Sequence, residues 1–136
     1  PEHCLVGSWG WACPNQLVQA VNTWDNRHHG QRPLHFYQKG EYPDAEMFSI
    51  FSYVNEATPN THGKLVLDQL AQYDEVVVCG FAKDYCVAES VKDLRNDSRF
   101  EGKLRFFEAG MAAIDPQSAN LSIYEECLNN FGAKCI

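Results

Sequence analysis

The chain has 136 residues, 45% of them hydrophobic and 21% charged, which supplies apolar content for one core and leaves no length for a second domain. A formal net charge of -7 excludes the basic face that a nucleic-acid or anionic-membrane binder needs, and no apolar run of about 18 residues offers a membrane span. Small-molecule work by a single domain over residues 1–136 is the class left open.

In chain order, Pro14 suits the first turn of a helix whose Leu17, Val21 and Trp24 share a face, and the polar stretch 26–30 ends it, with His28 and His29 read as solvated. Residues 34–37 form a short strand candidate running into Lys39-Gly40. A loop at 41–44 leads to an aromatic patch, Phe48, Phe51 and Tyr53, read as pocket wall or core. Residues 58–61 carry turn and capping types, and Leu67, Leu70 and Ala71 give the inward face of a second helix. Val76, Val77 and Val78 form the continuous apolar run expected of a strand covered on both sheet faces. Asp84 is positioned to cap a third helix with face Val87, Val91 and Leu94. Residues 104–107 are another strand. Asp115-Pro116 opens a fourth helix with Leu121, Tyr124, Leu128 and Phe131 at helical spacing, Gly132 stops it, and 133–136 is a last short strand.

Strands alternating with helices predict an α/β fold of three layers, α/β/α, on a mainly parallel sheet with right-handed crossovers. Sites in such sheets form beyond the carboxyl ends of the strands. Lys39 is expected at the end of one strand and Cys86 just after the end of another, where the next helix begins. Unpaired N–H groups and partial positive charge at a helix start favour a thiolate, so Cys86 is the candidate nucleophile. Cys79, inside the apolar run, is read as a buried structural cysteine. The six cysteines are spread through strand-like and helix-like segments without a CxxC pair, which reads as mostly reduced thiols and a cytoplasmic, intracellular setting.

The segment Gly80-Phe81-Ala82-Lys83-Asp84-Tyr85-Cys86-Val87 resembles the signature of the isochorismatase-like cysteine hydrolases. Pro1-Glu2-His3-Cys4 followed by Gly7-Ser8-Trp9-Gly10, and Lys39-Gly40 followed by Phe48-Ser49-Ile50-Phe51, resemble the nicotinamidase branch of that family. The resemblance implies that Cys86 attacks a carboxamide carbon, releasing ammonia through a thioester, and that Lys39 holds the thiolate in register. It implies an oxyanion hole from the backbone N–H groups of Ala82 and Cys86, each such donor worth roughly 3 kcal/mol, and a cis peptide between Phe81 and Ala82. Phe48 and Tyr85 match positions that pack against a flat heteroaromatic substrate such as nicotinamide. His3 matches a ligand to a divalent metal, zinc first with iron or manganese as alternatives, that would bind the pyridine nitrogen.

The match corresponds to the latter two-thirds of such an enzyme. The catalytic aspartate at the end of the family's first, central strand is absent, as are its aspartate-x-histidine motif and the histidine that follows. Asp25 and Asp44 stand in the wrong context to replace them. The chain also begins at Pro1, without methionine, so an N-terminal segment of about 60 to 80 residues, the size of a strand–helix–strand unit, is expected to belong to the same protein. Self-association into a homo-oligomer is a family habit. The alternatives to a nicotinamidase are a relative acting on another small amide, carbamoyl compound or vinyl ether, and a degenerate member kept as a binding module.

Overall fold

Three consecutive valines start a strand because β-branched side chains pack well on a pleated surface. In the computed structural model, which describes residues 5–29, 31–42, 44–54 and 59–136, that strand is β1 (Val76–Phe81). It pairs in parallel with β2 (Leu104–Ala112), which pairs in parallel with β3 (Lys134–Cys135), so the three-stranded sheet has the order β1-β2-β3. Register runs Val76 to Leu104, Val77 to Arg105 and Val78 to Phe106, then breaks, and resumes at Gly80 to Met111 and Phe81 to Ala112. The extra residues of β2 make the ladder irregular there, and Gly110 lies so close to the Phe107 ring that a Cβ on it would be 2.6 Å away.

Helices α2 (Thr61–Leu70), α3 (Ala88–Arg95) and α4 (Ser122–Asn130) complete this unit, Gln38–Ile136. The periodic face Val87, Val91 and Leu94 is buried as expected, together with Ala88. It meets Val76, Leu104 and Phe106 of the sheet and Ile123, Tyr124 and Cys127 of α4 in one core, with Phe100 also fully buried. Phe106 and Tyr124 pack edge to face, centroids 5.1 Å apart. The fold is thus α/β on a parallel sheet.

Several local expectations are corrected. β1 is not covered on both faces: its burial alternates, and Val77 and Phe81 remain 55% and 74% exposed. Cys79 shares that open face and is exposed, so it is not a buried structural cysteine. Residues 34–37 are irregular, because no neighbouring strand among the described residues supplies a ladder, and Lys39 therefore does not end a strand. α4 begins at Ser122, after a short helical turn at Ala119–Leu121; Asp115 instead closes a tight turn by accepting from the Gln117 and Ser118 N–H groups. In α2 the buried residues are Gly63, Val66 and Leu67 rather than Leu70 and Ala71.

The other unit, Pro1–Tyr37, contains α1 (Asn15–His28), which starts after Pro14 and ends with His29 in the left-handed region at φ 46°. Its expected face is not sealed: Leu17 stays 53% exposed. His28 is not merely solvated, since its ring packs at a tilt against Trp24, centroids 4.5 Å apart, and its Nδ1 lies 2.7 Å from the Trp24 carbonyl oxygen. No described helix is long and apolar enough to cross a membrane.

Candidate active site

The chain leaves β1 through a cis peptide bond between Phe81 and Ala82 and enters a π-helical turn, Lys83–Val87, that runs straight into α3. The Ala82 carbonyl accepts from the N–H groups of Tyr85 and Val87 at 3.2 and 3.1 Å, closing the turn. Cys86 lies on this turn, half-buried. Lys39, from the irregular segment upstream, places its Nζ 3.5 Å from the Cys86 Sγ and donates to the Met47 carbonyl at 2.8 Å. The structure therefore brings the two candidate catalytic side chains into contact across 47 positions of sequence.

The turn is held from below. Asp84, fully buried, is not a cap of α3: its two carboxylate oxygens accept from the backbone N–H groups of Ile114 and Asp115 at 2.9 and 2.8 Å, in the loop that follows β2. Burial works to raise the Asp84 carboxyl, and backbone hydrogen bonds from Asp115, Ile114 and Asp84 itself outweigh it, so the group ionises below the ordinary aspartate range. Asn120 donates to the Asp84 carbonyl at 3.0 Å and the Tyr124 hydroxyl to the Lys83 carbonyl at 2.7 Å. Burial first, then the charges of Glu108, Asp84 and Cys127, push the Tyr124 phenol up, so it stays a donor. Lys83 pairs with Glu108 at 2.7 Å and lies over the Tyr124 ring.

Residues 47–52 pass over the start of α3 as a strap. Phe51 is core, whereas Phe48 is half-buried and its ring meets that of Tyr85, centroids 5.9 Å apart. Tyr85 itself is 41% exposed. Tyr85 and Cys86 belong to the turn and Ala82 precedes it, Lys39 reaches the turn at Cys86, and Phe48 meets it through Tyr85. His3 lies outside the described residues. Among the described residues no group of three or more His, Cys, Asp or Glu side chains stands together as a metal site. A cavity of about 280 Å³ is lined by Lys39, Tyr42, Met47, Tyr53 and His62.

Sequence reasoning missed the polar anchors of the strap. Ser49 and Ser52 donate from their hydroxyls to one oxygen of Asp93, at 2.5 and 2.6 Å, and Ser90 accepts from the Ile50 N–H at 3.1 Å while donating to the Cys86 carbonyl at 2.8 Å. A signal was available: Cys86, Ser90 and Asp93 recur at helical spacing as a polar stripe one position ahead of the apolar Val87, Val91 and Leu94.

No protein-family model matches the chain, and no curated protein matches it. Solved structures do. A nicotinamidase from Bacillus subtilis aligns over 98% of this chain and 62% of its own, at 19% identity and a TM-score of 0.64. A nicotinamidase/pyrazinamidase from Acinetobacter baumanii aligns over 100% and 57%, at 19% identity and 0.64. The yeast nicotinamidase gives 100% and 57%, at 20% identity and 0.63. The chain has the fold of these enzymes and spans about three fifths of their length.

Proposed function

We propose that this chain carries the thiol half of a nicotinamidase-type active site, in a protein that converts nicotinamide to nicotinate and ammonia. The observation that carries the reading is the contact of Lys39 with Cys86 on the turn between a parallel strand and its helix. The Cys86 thiolate would attack the carboxamide carbon, forming a C–S bond while the carbonyl electron pair moves onto oxygen, facing the N–H groups of Ala82 and Cys86. The C–N bond then breaks, the amide nitrogen takes a proton and ammonia leaves. Water attacks the thioester carbon, the C–S bond breaks, and the carboxylate departs as Cys86 is restored.

The proton carrier for both steps is assigned to an aspartate beyond this chain. Asp84, the carboxylate nearest Cys86 in sequence, is committed to the backbone of Ile114 and Asp115. An N-terminal segment of the same protein would supply the aspartate; β1 offers an unpaired edge among the described residues, where a further strand fits. Phe48 and Tyr85 would pack against the flat pyridine ring. A divalent metal, zinc or else iron or manganese, would be held by His3 with ligands from that same segment and would fix the ring nitrogen. The described residues do not build such a site by themselves, and no step above depends on it. The setting is intracellular, and assembly into a homo-oligomer belongs to the proposal.

The test is ammonia release from nicotinamide by the complete gene product, before and after Cys86→Ala. Loss of activity in the variant supports the nucleophile. Undiminished turnover would refute it, and turnover of other small amides but not nicotinamide would favour the runner-up substrate class. Full activity from residues 1–136 alone would sink the assignment of an aspartate outside the chain.

A further inference from the structure

Lys39 sits in a segment without ladder or helix, so nothing in its own backbone fixes where its ammonium points. Its partner besides the thiol is the carbonyl of Met47, the first residue of the strap, and Met47 also receives the Gly40 N–H at its sulfur, 3.5 Å away. The strap too lacks regular structure, and its position is defined by side chains of α3. Two serine hydroxyls, Ser49 and Ser52, converge on the single Asp93 Oδ2, and Ser49 accepts in turn from the Phe51 N–H at 3.0 Å. Both serines are buried, at 4% and 8% exposure, so water cannot replace the carboxylate at little cost. Asp93 is seven residues beyond Cys86 on the same helical stripe, and Ser90 between them holds both Ile50 and the Cys86 carbonyl.

We propose that Asp93 is a positioning residue for the thiol: by gathering Ser49 and Ser52 it fixes the strap whose Met47 carbonyl aims the Lys39 ammonium at the Cys86 sulfur. The turn and the helix that continues it thereby carry both the nucleophile and the anchor that orients its cation. A carboxylate suits the task because it accepts two hydroxyl hydrogen bonds at once through one oxygen, and charge-assisted bonds are the short, directional ones. This inference rests on the reading of Cys86 as a thiol activated by Lys39, and the two can be separated.

The experiment is iodoacetamide alkylation of the complete gene product between about pH 5 and 9, read peptide by peptide, since the thiolate is the reacting form. Lys39→Met is expected to slow alkylation of Cys86 about tenfold near neutral pH. Asp93→Asn should slow it in the same direction by about threefold or more, and the double variant should be no slower than Lys39→Met alone, the coupling expected of residues that act through one contact. Buried Cys127 must stay unreactive, which reports that the fold is intact. If Lys39→Met shifts the Cys86 profile and Asp93→Asn does not, or if the two effects add, the positioning role is wrong and the activated thiol stands. If Lys39→Met leaves the profile unchanged, the activated thiol fails and the positioning role falls with it. Should Asp93→Asn unmask Cys127, Ser49→Ala and Ser52→Ala take its place: slowing of Cys86 with Cys127 protected supports the proposal, and unchanged rates in both overturn it.

Discussion

The hydroxyl of Tyr124 donates to the carbonyl of Lys83 at 2.7 Å, tying α4 to the turn that carries Cys86. The same ring packs edge to face on Phe106, so one side chain joins the core to the site. Tyr124→Phe keeps the ring and deletes the bond, leaving the Lys83 carbonyl short of a partner. We expect a loss of about 1–2 kcal/mol, measured as a lower midpoint in urea at constant slope. An unchanged midpoint would show that water satisfies the carbonyl equally well.

Asp84 predicts an acid limb in stability. Its carboxyl ionises lower in the folded chain than in the unfolded one, held down by backbone hydrogen bonds that outweigh burial. The unfolded state therefore binds the proton more readily, and the stabilisation is fully present above the unfolded value of about 4 and is lost as pH falls through the folded value. Asp97, lowered first by its hydrogen bond to Arg99, adds a contribution of the same sign. Thermal midpoints of wild type and Asp84→Asn, compared from neutral pH downward, isolate the first: the gap between the two proteins should narrow below about pH 4. A gap that stays constant would contradict the assignment.

Gly63 predicts a steric limit. A Cβ at this buried position of α2 would lie 1.8 Å from the Phe51 carbonyl oxygen, which also accepts the Asn60 N–H at 3.2 Å. Gly63→Ala gains helix propensity yet must push the strap away, and overpacking of this kind costs about 1–3 kcal/mol. A destabilised variant with a faster-alkylating Cys127 is the expected outcome; a more stable one would mean that the strap yields freely.

Phe106→Ala addresses the core itself. Phe106 is fully buried on β2 against Tyr124 of α4, and removing its ring should cost about 3–5 kcal/mol through lost transfer energy and the cavity left behind. Denaturant titration measures it, and a cost below about 1 kcal/mol would mean that Tyr124 collapses into the space.

What could be read in the sequence follows the range of each interaction. The face of α3 is periodic, and Cys86 is marked by the strand and turn before it, so these were legible, whereas of the face expected for α4 only Tyr124 and Phe131 are buried and Leu128 is exposed. Asp84 was read by a local rule as a helix cap, but hydrogen bonds from residues 30 positions later win its carboxylate. Residues 34–37 have strand-like composition, yet a strand is defined by a neighbour and the described residues provide none. The open face of β1 escaped for a related reason: three valines in a row signal apolar surface without saying which side a helix will cover. The anchoring of Ser49 and Ser52 to Asp93 links residues more than 40 apart and leaves only the faint polar stripe on α3 as its trace.

The Lys39–Cys86 contact also has a bearing on folding order. α3 and its turn are local structures that can form early, whereas bringing Lys39 to the thiol closes a separation of 47 residues, with a loop entropy that must be met by contacts made elsewhere. During synthesis the lysine leaves the ribosome first and must wait for its sulfur. A nascent or partly opened chain thus holds Cys86 without its cation and acquires the pair only when the strap has docked.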